Sequence, residues 1–210
     1  LRDLKLWSKS IVVVTSDHGE GLNQHEWASH GLVWEEQLRV PLLLHLPSIS
    51  GFPRRFSGVV SLIDLFPTVL GRLKPFATPL AKRFSEQATG VDVLAPDYEP
   101  RAVFSQRTGR EVADDPGAMY ALTAPQWKLI LEEGVPDRLF DRRVDPHELV
   151  NRAQEDPATT HTARDKLLSS MREQTQRGGR FGQEGVAGEL DPELLKELQD
   201  LGYMGGTPEE

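Results

Sequence analysis

Residues 11–14, Ile-Val-Val-Val, are four β-branched apolar residues in a row, and a polar cluster follows them at once. Side chains branched at Cβ suit an extended backbone and crowd a helix. A short run that is apolar at every position fits a strand covered on both faces, as in a parallel sheet flanked by helices. The texture returns in residues 38–48, "LRVPLLLHLPS", where Pro41 and Pro47 fall near the ends, positions a strand tolerates. This pair of runs makes the first part of the chain α/β.

Behind the first run stands "TSDHGEGLNQHEWASHG", residues 15–31, which holds three of the six histidines in 210 residues. In an open α/β sheet, ligands sit beyond the carboxyl ends of the strands, where Asp17 and His18 fall. An adjacent carboxylate and imidazole can both ligate a divalent cation: Zn²⁺, Mn²⁺, or Ca²⁺ with one nitrogen ligand. Two ligands do not complete a site, so the rest must come from elsewhere. Gly19 and Gly21 permit close backbone approach that a side chain would block. The competing reading is a polar turn that Asp and His merely cap or solvate. Taken singly, His25 reads as a solvated surface residue and His30 as a structural histidine with satisfied partners.

Further along, residues 59–73 begin like a strand and turn helical. Ile63, Phe66, Val69, Leu70 and Leu73 make one apolar helix face, with Pro67 near the first turn where a missing N–H costs little. Residues 76–100 are rich in proline and read as a connecting segment after a first part, 1–75. Residues 101–206 read as a C-terminal subdomain. Its short strand-like runs, separated by turn residues, predict a small antiparallel sheet over 101–150. A helix over 157–176 follows, with Ala163, Leu167, Leu168 and Met171 in register and Thr160 or Thr162 as N-cap. A short helix over 191–206 starts at Asp191 and Pro192 and stops at Gly202.

Composition narrows the function classes. With 38% hydrophobic and 27% charged residues the chain reads as globular. A formal charge of −8 argues against nucleic acid as a partner, because neutralising phosphates takes clustered Lys and Arg. The absence of Cys removes disulfides, thiolate metal sites and a thiol nucleophile from these residues. No stretch approaches the roughly 18 apolar residues that would span a bilayer. The chain opens at Leu1 within an amphipathic segment, so it is expected to be the later part of a longer protein.

Read as a whole, "IVVVTSDHGEGLNQHEWASHGLVWEEQLRVPLLLHLP" resembles the sulfatase family of the alkaline-phosphatase-like superfamily. That family shows a buried strand, Thr-Ser-Asp-His/Asn-Gly-Glu, a basic residue about a dozen positions on, an aromatic-Glu-Glu stretch and Arg-Val-Pro-Leu. Here the basic residue is His30, twelve positions after His18, followed by Trp34, Glu35, Glu36 and 39–42, Arg-Val-Pro-Leu. "SLIDLFPTVL", "TGVDVL", "QWKLIL", "RLFDRRVDPHELVN" and "LKELQDLGYMGG" match further landmarks of the family in the same order. The resemblance implies an alkaline-phosphatase-like α/β fold: the end of a mainly parallel sheet with helices, plus a small C-terminal antiparallel sheet and helix.

It also implies that Asp17 and His18 are metal ligands, with Ca²⁺ the first choice and Mn²⁺ or Zn²⁺ alternatives. His30 is implied to contact the substrate's anionic group or to protonate the leaving oxygen. His25 falls where the family often has His-Gly; here it is His-Glu, and it is given no role. Asp64 and Thr68 read as helix caps. Asp141, Asp145, Pro146 and Glu148 read as turn chemistry, and Trp127 and Tyr203 as core. Arg107 and Arg110 read as a solvated loop.

Sulfatases attack with a formylglycine made from Cys or Ser in a Cys/Ser-x-Pro-x-Arg string. No such string occurs in this chain, so the formylglycine is expected in a missing N-terminal half. The expected function is that of a metal-dependent hydrolase of small or glycan sulfate esters, with this part alone inactive. Alternatives are a phosphonate monoester or phosphodiester hydrolase, or a phosphoethanolamine transferase, of the same superfamily. An alternative of another class is a non-catalytic metal- or glycan-binding remnant. The family resemblance favours an extracytoplasmic location; substrate identity and oligomeric state are not legible.

Overall fold

The structure is a computed structural model that describes residues 1–47, 55–73, 88–107, 117–132 and 134–180. The chain divides into two compact units, Leu1–Ser170 and Met171–Glu210. Of the second, the described residues run to Arg180, all within a helix, so the expected 191–206 helix, with Tyr203, lies outside them.

The Ile-Val-Val-Val run forms β1, Val12–Thr15, and the second apolar run forms β2, Leu42–His45. They pair antiparallel, with Val12 opposite His45 and Thr15 opposite Leu42. The strands are where the β-branched runs place them, but their mutual direction is not the parallel one that uniform apolarity suggests. Both faces carry apolar side chains, and Val14 and Leu43 are 54% and 60% exposed. Between the strands lies one helical turn, α1, Glu35–Leu38, with Gln37 buried.

Residues 59–61 join no sheet, contrary to the strand expected there. Instead a capping box starts the helical segment: the Ser61 N–H donates to Asp64 Oδ2 at 2.9 Å. A 3₁₀ turn, Leu62–Asp64, leads into α2, Leu65–Arg72. Its inward residues are not the apolar stripe. Asp64 and Thr68 are buried, while Ile63 and Leu73 are substantially exposed. Asp64 Oδ1 accepts from the Val91 N–H and from Arg101, and Thr68 Oγ1 accepts from the Val93 N–H. Segment 91–101 thus satisfies a polar inward face, and that offsets the cost of burying it. Asp64 caps as expected, and additionally anchors a distant segment.

The C-terminal sheet is a meander, as the turn spacing predicts: β3 Val103–Arg107, β4 Met119–Thr123, β5 Trp127–Glu132 and β6 Val135–Asp141. Register places Ala121 opposite Ile130, and Lys128 opposite Thr123 and Phe140. One face therefore carries Met119, Ala121, Ile130 and Phe140, which bury together with Leu32, Val33 and Trp34 from the segment leading into α1. Arg138 lies over the Trp34 ring at 5.0 Å. The other face carries Leu122, Leu129 and Leu139, all buried.

Helix α3, Pro157–Arg180, follows the sheet and buries Ala163 and Leu167, two of the residues in the expected register. Its start differs from the Thr160 or Thr162 cap expected. Asp156 accepts the Thr159 N–H at 3.0 Å and Pro157 takes the first helical position. The Thr160 and Thr162 hydroxyls donate back to the carbonyls of Asp156 and Ala158. Among the described residues no helix is long and apolar enough to cross a membrane.

Candidate functional site

The site grows from the end of β1. Backbone beyond Thr15 turns sharply, and the Ser16 hydroxyl donates to the His18 carbonyl at 2.8 Å. The His18 N–H donates to Asp17 Oδ1 at 3.0 Å. That backbone bond is the main reason the Asp17 carboxyl sits below its usual range; the imidazole and the Ser16 hydroxyl act in the same direction. Asp17 is therefore a carboxylate, a hard oxygen donor, and it is open to solvent.

His18 is oriented by its own neighbour. Its Nδ1 lies 2.8 Å from the Gly19 carbonyl, which can only accept, so Nδ1 donates there and Nε2 is the nitrogen turned to other partners. Nε2 is 3.7 Å from Asp17 Oδ2. Two metal–ligand bonds of roughly 2.0–2.5 Å can bridge such a gap, and a backbone carbonyl on the second ring nitrogen is the usual support of a ligating histidine. The donor pair thus fits a divalent cation. Among the described residues no group of three His, Cys, Asp or Glu side chains is placed to hold one.

The loop then returns His30 to the same place. Its ring stacks on that of His18, with centroids 4.1 Å apart and planes at 22°. Glu20 Oε2 lies 3.4 Å from His30 Nδ1. The His30 carbonyl accepts the Trp27 indole N–H at 3.1 Å, and the Gly21 N–H donates to the Ser29 carbonyl at 3.0 Å. Glycine is required at both approaches. A Cβ at Gly19 would stand 2.0 Å from the Glu36 carbonyl oxygen, and one at Gly21 would stand 2.2 Å from that of Trp27.

Asp17, His18 and His30 are thus brought together at one locus. His25 is not there, nor is it on the solvated surface where its sequence context places it. Its side chain is 13% exposed, with Nδ1 3.0 Å from Glu36 Oε1 and Nε2 3.2 Å from the Glu148 carbonyl. The ring lies flat on Trp34, with centroids 3.8 Å apart.

Beneath it is a charge cluster that the turn reading of Glu148 does not include. Lys128 Nζ, fully buried, contacts Glu148 Oε1 at 2.7 Å and Glu35 Oε2 at 3.8 Å, ionic contacts rather than aligned hydrogen bonds. Arg142 donates to Glu35 Oε1 at 2.9 Å, and the Glu35 N–H donates to Glu148 Oε2. Burial raises the Glu148 carboxyl above its ordinary range, and Lys128 pulls the other way. Asp145 does perform turn chemistry, accepting the N–H groups of Leu149 and Val150. Trp127 is half-buried, and its neighbour Lys128 takes the core position instead.

Sequence reasoning gives no site role to Glu20, Glu36 or Lys128 and reads Glu148 as turn chemistry alone. Glu20 stands within the Thr-Ser-Asp-His-Gly-Glu string and was available to it. Glu36 reaches His25 across 11 positions, Lys128 meets Glu148 from β5, and Glu35 and His25 reach Glu148 across 113 and 123, partners that no local pattern reveals.

Comparison with known proteins agrees with this architecture. A family model described as Sulfatase matches residues 1–74. Arylsulfatase K of Gallus gallus is 34% identical over 182 residues, covering 81% of this chain and 32% of its own length. Among solved structures, the yidJ sulfatase of Bacteroides fragilis superposes with a TM-score of 0.66 at 23% identity, over 82% of this chain and 37% of that one. A phosphonate monoester hydrolase of Agrobacterium radiobacter gives 0.61 at 22% identity, over 83% and 37%. At that identity the two structures speak for the fold alone. This chain spans about a third of the length of the curated relatives it matches. The matched family model, the arylsulfatase K relatives and the shared fold together establish that the chain belongs to the sulfatase family.

Proposed function

We propose that the full-length protein is a metal-dependent hydrolase of sulfate esters, and that this chain supplies one side of its active site. Membership of the family points to a divalent metal cofactor. The observation that carries the reading is the convergence of Asp17, His18 and His30, with the His30 ring stacked 4.1 Å from that of His18.

The chemistry suits these residues. Cleaving a sulfate ester requires that charge on the equatorial oxygens be stabilised and that the departing alkoxide be protonated. A divalent cation, when bound, supplies the first as a Lewis acid. Asp17 and His18 would hold that cation, the one through its carboxylate and the other through its imidazole, with Ca²⁺ the favoured ion. The remaining ligands, and a formylglycine nucleophile, come from outside the described residues. His30, supported by Glu20 at Nδ1, presents its other ring nitrogen to the ester, either binding the anionic group or delivering a proton to the leaving oxygen.

The test is turnover by the metal-replete full-length protein on nitrophenyl sulfate, with the corresponding phosphate diester and phosphonate monoester in parallel. Preferential cleavage of the sulfate is expected. Cleavage of the phosphonate with the sulfate untouched would overturn the assignment in favour of the phosphonate hydrolases.

A further inference from the structure

The loop from His18 to His30 is held from three points. Gln37 grips both its ends: its carbonyl accepts the Gly19 N–H at 2.8 Å, and its buried side-chain Oε1 accepts the Leu32 N–H at 2.6 Å. His25 grips the middle, spanning Glu36 on α1 and the Glu148 carbonyl beyond β6, with its ring on Trp34.

Within this loop Leu22, Asn23, His25 and Glu26 have φ of 49°, 67°, 49° and 58°. Residues with a side chain are disfavoured in that left-handed region, so such a loop persists only where its surroundings over-determine it. The side chains of Leu22, Asn23 and Glu26 are exposed, and of the three only Asn23 adds a backbone bond, its N–H donating to the Trp27 carbonyl within the loop itself at 3.1 Å. His25 is the one of the four that is packed, with both ring nitrogens and one ring face engaged. The Glu148 it touches is itself fixed by the buried Lys128 and by the Glu35 N–H.

We propose that His25 is a positioning residue for the His18–His30 pair, transmitting the rigidity of the C-terminal sheet to a strained loop through Glu36, Glu148 and Trp34. It touches neither cation nor ester. It fixes the path of the chain between the two rings, so that His30 returns to stack on His18 instead of sampling solvent. The proposal rests on the functional reading for its catalytic consequence, but its structural content does not.

The experiment uses the full-length protein with ¹³C-labelled histidine, because stacked rings shift each other's Cε1–H resonances. In His25→Ala, the His18 and His30 resonances should move toward free-histidine positions while those of His45, His147 and His161 stay. Turnover should fall about 10–100-fold, the range for loss of a supporting contact, through kcat more than KM. His25→Gln, which keeps a donor and an acceptor, should recover part of both effects. Unmoved His18 and His30 resonances in folded His25→Ala would overturn the proposal. Should that variant not fold, Glu36→Ala decides the matter by the same spectrum, since it removes the Nδ1 partner and leaves the stack on Trp34. Absence of sulfate-ester hydrolysis in the wild type would defeat the functional reading while leaving the resonance test intact.

Discussion

Lys128 Nζ lies 2.7 Å from Glu148 Oε1, and the two side chains are 0% and 1% exposed. A buried ion pair contributes little net stability against an apolar replacement, but removing one partner strands the other charge. Lys128→Met should therefore destabilise the protein by roughly 3–5 kcal/mol. Adding Glu148→Gln, which still accepts the Glu35 N–H, should restore a good part of that. Denaturant unfolding of both variants measures it; a Lys128→Met midpoint equal to that of wild type would show the pair to be dispensable.

For His30, the discriminating variable is the leaving group. His30→Ala in the full-length protein should slow hydrolysis of an alkyl sulfate by roughly 10²–10⁴-fold, the span of general-acid contributions. Nitrophenyl sulfate, whose leaving group needs no proton, should lose much less. Equal losses on both substrates would make His30 an anion-binding residue, and no loss on either would make it structural.

Asp17→Ala removes the charged member of the proposed ligand pair. Elemental analysis of the purified full-length variant should show the divalent metal lost, with activity lost alongside it. Metal content equal to that of wild type would rule Asp17 out as a ligand.

Arg143 donates to both oxygens of Asp141, from Nε at 2.9 Å and from a terminal nitrogen at 2.6 Å. These bonds, with the Arg143 N–H, hold the Asp141 carboxyl down to about 2 from an ordinary 3.8. Because the folded value lies below the unfolded one, the associated stability is present above about pH 4 and fades as pH falls toward 2. Arg143→Gln should raise the Asp141 pKa toward its ordinary value and flatten the acid limb of the stability profile between those limits. An NMR titration of the Asp141 carboxyl that does not move on substitution would refute this.

Local pattern was enough wherever one residue's neighbours in sequence decide its state. The β-branched run of 11–14 supplies β1, the turn spacing after 101 supplies the meander, and Ala163 and Leu167 reveal the buried side of α3. The nearness of Asp17 and His18 was legible for the same reason, since residues adjacent in sequence share one turn of backbone; that they hold a cation is proposed here. Tertiary structure decided what depends on distant partners. Strand direction in β1–β2 is one such case, because uniformly apolar strands look alike in either pairing. The inward Asp64 and Thr68 are another: their burial is tolerable only because Val91, Val93 and Arg101 arrive to satisfy them. His25 is the clearest. Its sequence context, between Gln24 and Glu26, is that of a solvated loop. Only the fold brings the Glu148 carbonyl, 123 positions away, to one of its nitrogens and lays Trp34 against its ring.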